Sequence, residues 1–213
     1  MTDDVTTAAL DAWVRRFAAL VAQERDHLTE LDAAIGDADH GTNLDRGMTA
    51  AVASLDELGP AGAGPMLTKV GMTLVSTVGG ASGPLYGTLF LRMGTALGDA
   101  PSVTAERVGE ALRAGLDGVV ARGKAQAEDK TMYDALAPAV DAFEGGLKDG
   151  LGLGGALDRA HAAADEGRDA TTPMLARKGR ASYLGERSVG HQDPGATSAA
   201  LLVAAAVEAL SDA

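Results

Sequence analysis

Apolar residues recur at steps of three and four along most of this chain, and nowhere does a convincing two-residue alternation replace them. Leu10, Trp13, Val14, Phe17, Leu20 and Val21 make one such stripe. Val108, Leu112, Leu116, Val119 and Val120 make a second, and Tyr133, Leu136, Val140, Phe143 and Leu147 a third. Each residue turns about 100° around a helix axis, so every set lies along one face and predicts a helix with one buried side. Residues 70–78 are apolar enough to be ambiguous between helix and strand. From Thr197 to Leu210 the chain reads as an alanine-rich helix, opened by Asp193-Pro194, a capping carboxylate followed by proline at the first helical position. Breaks at 59–65, 98–102, 145–155 and 167–173 separate about seven or eight helices without an evident domain linker. The pattern predicts one all-α domain over residues 1–213, a bundle of antiparallel helices.

Small side chains make up much of the chain around these stripes. Hydrophobic residues form 46% of the chain but aromatic ones only 3%, and 28 glycines accompany them, so helix axes can approach closely. Surface scaling for 213 residues predicts roughly 9,100 Å² exposed when folded, which leaves a sizeable core without staples. There is no cysteine, which excludes disulfides and thiolate metal sites. A formal charge of −12 argues against nucleic-acid binding through phosphate neutralisation. The longest apolar stretch, AALLVAAAVEAL, is too short to span a membrane and contains Glu208. The start, MTDDVTTAAL, lacks the basic and apolar regions of a secretion signal, so a cytoplasmic protein is expected.

Four glycine-rich pieces lack the helical period: 36–47, 79–87, 122–132 and 177–195. Each falls at the end of a helical run, and in an up-and-down bundle alternate ends meet at one rim. Their convergence on one site is therefore expected. Two motifs inside or near them are decoys. Gly118 to Lys124, GVVARGK, has alanine where a phosphate-binding loop needs serine or threonine, and it ends a helix instead of following a strand. Gly150 to Gly155, GLGLGG, likewise has no preceding strand.

The segment LDAAIGDADHGTNLDRGM, residues 31–48, holds Asp32, Asp37 and Asp39 within eight positions. It also opens like a calcium-binding EF-hand loop, but Thr42 stands where the turn glycine belongs and Met48 where the bidentate glutamate belongs. On one straight helix Asp37 would point about 140° from Asp32, so the three can share an ion only if the chain turns at Gly36. Oxygen donors without His or Cys suit Mg²⁺, which completes its shell with water and substrate phosphate. Gly41-Thr42-Asn43 would then open a helix whose free N–H groups favour an anion. The competing reading is that Asp37 and Asp39 cap a helix while Asp32 is a solvated end residue. Ser82 among glycines, and loops carrying Lys124, Lys130, Lys178, Arg180 and Arg187, supply the surroundings that a phosphate requires.

LTELDAAIGDADHGTNLDRGM, GMTLVSTVGGASGPLYGTLF, GLDGVVARGKAQAEDKTMYDAL and ARKGRASYLGERSVGHQDPGATS together span most of the chain. In this order they resemble the DhaL family, the nucleotide-binding subunits of bacterial dihydroxyacetone kinases and the matching C-terminal domain of single-chain ATP-dependent kinases. One departure is Ala38, where the family commonly has glycine. The resemblance implies a barrel of eight antiparallel helices with ADP or ATP at one end. It implies that Asp32, Asp37 and Asp39 hold two Mg²⁺ ions bridging the nucleotide phosphates. His40, Gly41, Thr42 and Asn43 match the phosphate-side segment, and Ala81 and Ser82 the glycine-rich loop. Gly123, Met132, Arg180 and the Asp193-Pro194-Gly195 turn match further nucleotide contacts, with Arg180 adding fixed charge in the catalytic step. Met132 reads either as an adenine contact or as a core side chain, and Asp193 either as a ribose acceptor or as a helix cap.

The resemblance also implies partners. A family histidine that holds dihydroxyacetone covalently lies on a separate DhaK subunit. This chain offers only His27, His40, His161 and His191, none placed for that task. ADP would remain bound and be rephosphorylated by a phosphohistidine protein, DhaM. The alternatives are exchangeable ATP, another ketose or acyl acceptor, and a regulatory module without phosphoryl transfer.

Overall fold

Capping side chains set several helix starts. Thr6 accepts from the Ala9 N–H at 3.1 Å and opens α1, Thr7–Gln23. Then follow α2, Arg25–Ile35; α3, His40–Asp56; α4, Ala63–Thr77; and α5, Ser82–Leu97. Thr104 accepts from the Arg107 N–H at the start of α6, Ala105–Gly123, which Lys124 ends in a left-handed turn. The last helices are α7, Tyr133–Lys148; α8, Leu153–Ala170; and α9, Pro194–Leu210, with a kinked 3-10 segment at Arg180–Ser188 before α9. The computed structural model describes residues 4–59 and 61–211; Pro60, inside the expected break at 59–65, and both ends of the predicted 1–213 domain lie outside the described residues.

Helix neighbours close into a ring. α1 packs on α3, α3 on α4, and so on through α5, α6, α7, α8 and α9, which returns to α1. This is the expected eight-helix barrel, with α2 lying across one end against α3, α9 and the 3-10 segment. Trp13, Phe17, Tyr86, Phe90 and Phe143 fill its interior. The Trp13 indole N–H donates to the Leu202 carbonyl at 2.9 Å. The accessible surface, 9130 Å², matches the scaling estimate.

Small residues permit the close crossings. Gly71 of α4 faces Gly87 of α5 so tightly that a Cβ on either would come within 2.8 Å of the other's carbonyl oxygen. Inside α7, Pro138 removes the N–H that would bond the Asp134 carbonyl, and Gly167 of α8 packs against that oxygen.

Three expectations need correction. α3 begins at His40 and α5 at Ser82, so most of each of the pieces 36–47 and 79–87 is helical. Gly41 and Gly83 are contact residues: a Cβ on Gly41 would meet the Arg25 carbonyl oxygen at 2.0 Å, and one on Gly83 the Val78 oxygen at 2.3 Å. Among the described residues there are nine α-helices instead of seven or eight, because α1 and α2 are separate helices that break at Glu24. A strand pair also exists, Val5–Thr6 (β1) with Ser102–Val103 (β2), too short to leave an alternating pattern. Residues 70–78, ambiguous by composition, belong to α4 up to Thr77.

Candidate functional site

Every second connection of the ring opens at the same end. The α2–α3, α4–α5, α6–α7 and α8–α9 connections meet around a cavity of about 420 Å³, within the range of small-ligand sites.

Asp32 sits in the last turn of α2, where its buried carboxylate is locked. One oxygen accepts the backbone N–H groups of Asp39 at 2.8 Å and His40 at 3.1 Å. The chain turns at Gly36, where a Cβ would lie 2.0 Å from the other Asp32 oxygen; only glycine allows that approach. Ala38 then takes a left-handed conformation, φ 61°, which glycine would adopt without strain. The result brings one oxygen each of Asp32, Asp37 and Asp39 within 4.8 Å of one another. Three carboxylates this close repel by about 1 to 3 kcal/mol per pair unless cations lie among them, and an all-oxygen donor set fits Mg²⁺. The solvated reading of Asp32 is not what the structure has: the side chain is buried and organises the turn. Nor does Asp39 cap α3 through its carboxylate. Arg180, at the start of the 3-10 segment, places its guanidinium 2.9 Å from Asp37.

Across the cavity, Gly79, Gly80, Ala81 and Ser82 form the wall that becomes the first turn of α5. The Ser82 hydroxyl lies 3.0 Å from Nδ1 of His40, whose Nε2 lies 2.9 Å from the Ser198 hydroxyl on α9. Burial lowers the His40 pKa, against the pull of Asp32 and Asp39, so the ring is neutral.

Of the other expected residues, Gly123, Met132, Asp193, Pro194 and Gly195 all line the cavity. Met132 lines the cavity and also packs into the core at 5% exposure. Asp193 caps α9, one carboxylate oxygen accepting the Ala196 N–H at 2.7 Å. Burial pushes its pKa up to about 7; Asp134 and Asp32 add to this, while the Ala196 N–H and Lys130 oppose it. Gly41, Thr42 and Asn43 do not line the cavity. Gly41 packs under α2, Thr42 donates its hydroxyl back to the Asp39 carbonyl, and Asn43 accepts from Arg46.

The expected cations divide. Lys178 and Arg180 line the cavity, whereas Lys124 and Arg187 do not. Lys130 lines it but is 1% exposed, and its ammonium donates to the backbone carbonyls of Ser188 at 2.6 Å and Met174 at 3.1 Å. It ties the α8–α9 connection down instead of facing a phosphate. Arg122, a cavity residue missed in the sequence, carried a usable signal: a cation in the last turn of a helix, next to Gly123. Ser198 and Tyr86 gave none, being ordinary members of helical stripes.

Residues 34–208 match the model of the DAK2 domain. The chain belongs to the DAK2-domain family. Its relatives include the ADP-binding subunit DhaL of the PEP-dependent dihydroxyacetone kinase of Escherichia coli (strain K12). That protein is 47% identical over 186 residues, covering 87% of this chain and 89% of the relative. A DhaL subunit of Listeria innocua is 44% identical over 191 residues, covering 89% and 90%. An L-erythrulose kinase of Pectobacterium atrosepticum is 35% identical over 206 residues, but these form 35% of that protein. Among solved structures, the dihydroxyacetone kinase of C. freundii in complex with AMP-PNP and Mg²⁺ superposes with TM-score 0.72 at 27% identity, covering 94% of this chain and 34% of that one. These DAK2-domain relatives are kinases or kinase subunits. Among the described residues, no helix is long and apolar enough to cross a membrane.

Proposed function

We propose that the chain is the ADP/ATP-binding subunit of a dihydroxyacetone kinase, carrying a phosphoryl group on Mg²⁺-bound nucleotide to dihydroxyacetone held on a DhaK-type partner. The observation that carries this reading is the aspartate trio, with oxygens within 4.8 Å of one another at the edge of a nucleotide-sized cavity. Two Mg²⁺ ions, when bound, would neutralise the carboxylates and the polyphosphate together and favour in-line transfer.

The chain's own residues prepare this site. Asp32 is fixed by the Asp39 and His40 N–H groups, so its oxygens need no rearrangement. The turn at 79–82 places the start of α5 at the cavity, where the free N–H groups of a helix start would favour an anion. Arg180 reaches Asp37 from the opposite loop, and its guanidinium would serve the phosphates once cations take over the carboxylates. His40, Met132, Gly123 and the 193–195 turn form the rest of the nucleotide's walls. Gly41, Thr42 and Asn43 would act through the first turn of α3, behind the wall. Dihydroxyacetone would be bound covalently by the partner, and a DhaM-type phosphohistidine protein would rephosphorylate ADP in place. The extended matches to PEP-dependent DhaL subunits support this donor. The erythrulose kinases among the relatives make another ketose the second candidate acceptor.

Purification without added nucleotide, followed by exhaustive dialysis in Mg²⁺, tests the reading. The expected result is retained ADP that EDTA releases. Asp37→Asn is expected to lose ADP while keeping its helicity by circular dichroism. A variant that held ADP and Mg²⁺ like the parent would overturn the assignment.

A further inference from the structure

We propose that Ser198, behind the cavity wall, and Tyr86, part of that wall, are positioning residues that decide which nitrogen of His40 carries its proton, and so whether the Ser82 hydroxyl donates to histidine or into the cavity. The inference rests on the anion-binding reading of the cavity given above.

A continuous path of buried polar groups leads away from Ser82. Its hydroxyl is 3.0 Å from Nδ1 of His40, Nε2 is 2.9 Å from the Ser198 hydroxyl, and that hydroxyl is 2.7 Å from the Tyr86 phenol. Ser198 also lies 3.1 Å from the Gly195 carbonyl oxygen. Ser198 and Tyr86 are 0% and 1% exposed, so water does not compete for their protons.

Ser198 has one proton to give and three neighbours to satisfy. Turned toward Gly195, it must accept from both Tyr86 and an Nε2–H. Nδ1 is then bare, Ser82 donates to it, and only Ser82 lone pairs face the cavity. Turned toward Nε2, Ser198 accepts from Tyr86 alone. The ring proton then sits on Nδ1 and is donated to Ser82, whose own proton points into the cavity. The Gly195 carbonyl, in the first turn of α9, keeps its helical N–H partner in the second arrangement, so releasing Ser198 costs little. Tyr86 donates in both, and burial raises its pKa, which keeps the phenol protonated.

The two arrangements hold the same protons, one each on Ser82, the ring, Ser198 and Tyr86. Only the ring proton changes nitrogen, by exchange with water, and none is gained or lost overall. The first arrangement satisfies every group in the free protein. An anion beside Ser82 repels its lone pairs and accepts its proton, so a phosphate oxygen selects the second.

The test uses ¹⁵N-labelled protein and long-range ¹H–¹⁵N correlation of the imidazoles, with His40 assigned by its loss in His40→Gln. Calorimetry on the same sample reports whether Mg²⁺-ADP binds. The expected result is an Nε2–H tautomer in the free protein and Nδ1–H at saturation. An unchanged tautomer in a sample that binds Mg²⁺-ADP overturns this inference and leaves the proposed function standing; absence of binding overturns both. Ser198→Ala is expected to abolish the tautomer change and weaken Mg²⁺-ADP about tenfold. A Ser198→Ala protein that switched like the parent would refute the role.

Discussion

Replacing Asp193 by asparagine isolates the electrostatics of the cavity floor. Burial pushes this carboxylate from 3.8 to about 7. Between those values the folded protein keeps a proton that the unfolded chain has released. The native state then binds more protons, so stability falls as pH rises from about 4 to about 7 and levels off above. Three pH units at about 1.4 kcal/mol each give about 4 kcal/mol. Asparagine never ionises, yet its side-chain oxygen can accept the Ala196 N–H and preserve the cap of α9. The stability of Asp193→Asn relative to the parent is therefore expected to rise by about 4 kcal/mol between pH 4 and pH 8. Urea unfolding of both proteins, nucleotide-free and in EDTA, measures this. With a slope of about 2 kcal/mol per molar urea, the midpoints separate by about 2 M more at pH 8 than at pH 4. A separation that stayed constant, or narrowed with pH, would show that Asp193 is not the buried acid described here.

Lys130→Met keeps the stem but leaves the Ser188 and Met174 carbonyls without the ammonium, and is expected to cost about 3 kcal/mol, a fall in Tm of about 6 to 12 °C. A fall under 2 °C would mean that the tie is dispensable. Ala38→Gly relieves a left-handed alanine and is expected to add about 1 kcal/mol in urea unfolding; a loss of stability would contradict the φ of 61°. Gly36→Ala drives a methyl toward the Asp32 carboxylate and is expected to weaken Mg²⁺-ADP at least about tenfold by calorimetry, with far-UV circular dichroism unchanged. Unaltered affinity would refute the claim that this glycine shapes the trio.

Local rules made much of the site legible. The turn at Gly36 follows from the spacing once the three acids are to share an ion, because no straight helix brings Asp37 to the side of Asp32 and Asp39. The convergence of four loops follows from connectivity, since alternate ends of consecutive helices share a rim. Lys130 and Gly41 show where such reasoning fails. A lysine in a glycine-rich loop looks like a phosphate cation, but its partners are carbonyls more than forty residues away, at Met174 and Ser188. Gly41 looks like a loop residue near phosphate, yet its place is fixed by the Arg25 carbonyl of a neighbouring helix.

The sequence by itself determined the all-α architecture, the capped start of α9 and the clustering of three acids. Each depends on residues within about a dozen positions, where helix period, capping and backbone sterics act directly. Only the tertiary structure decided which groups are buried and what they touch. The neutral His40 between Ser82 and Ser198, the raised carboxylate of Asp193 and the diverted ammonium of Lys130 all arise where distant helices exclude water. Exclusion of water is what turns an ordinary polar residue into a shifted acid, an oriented donor or a fixed strut.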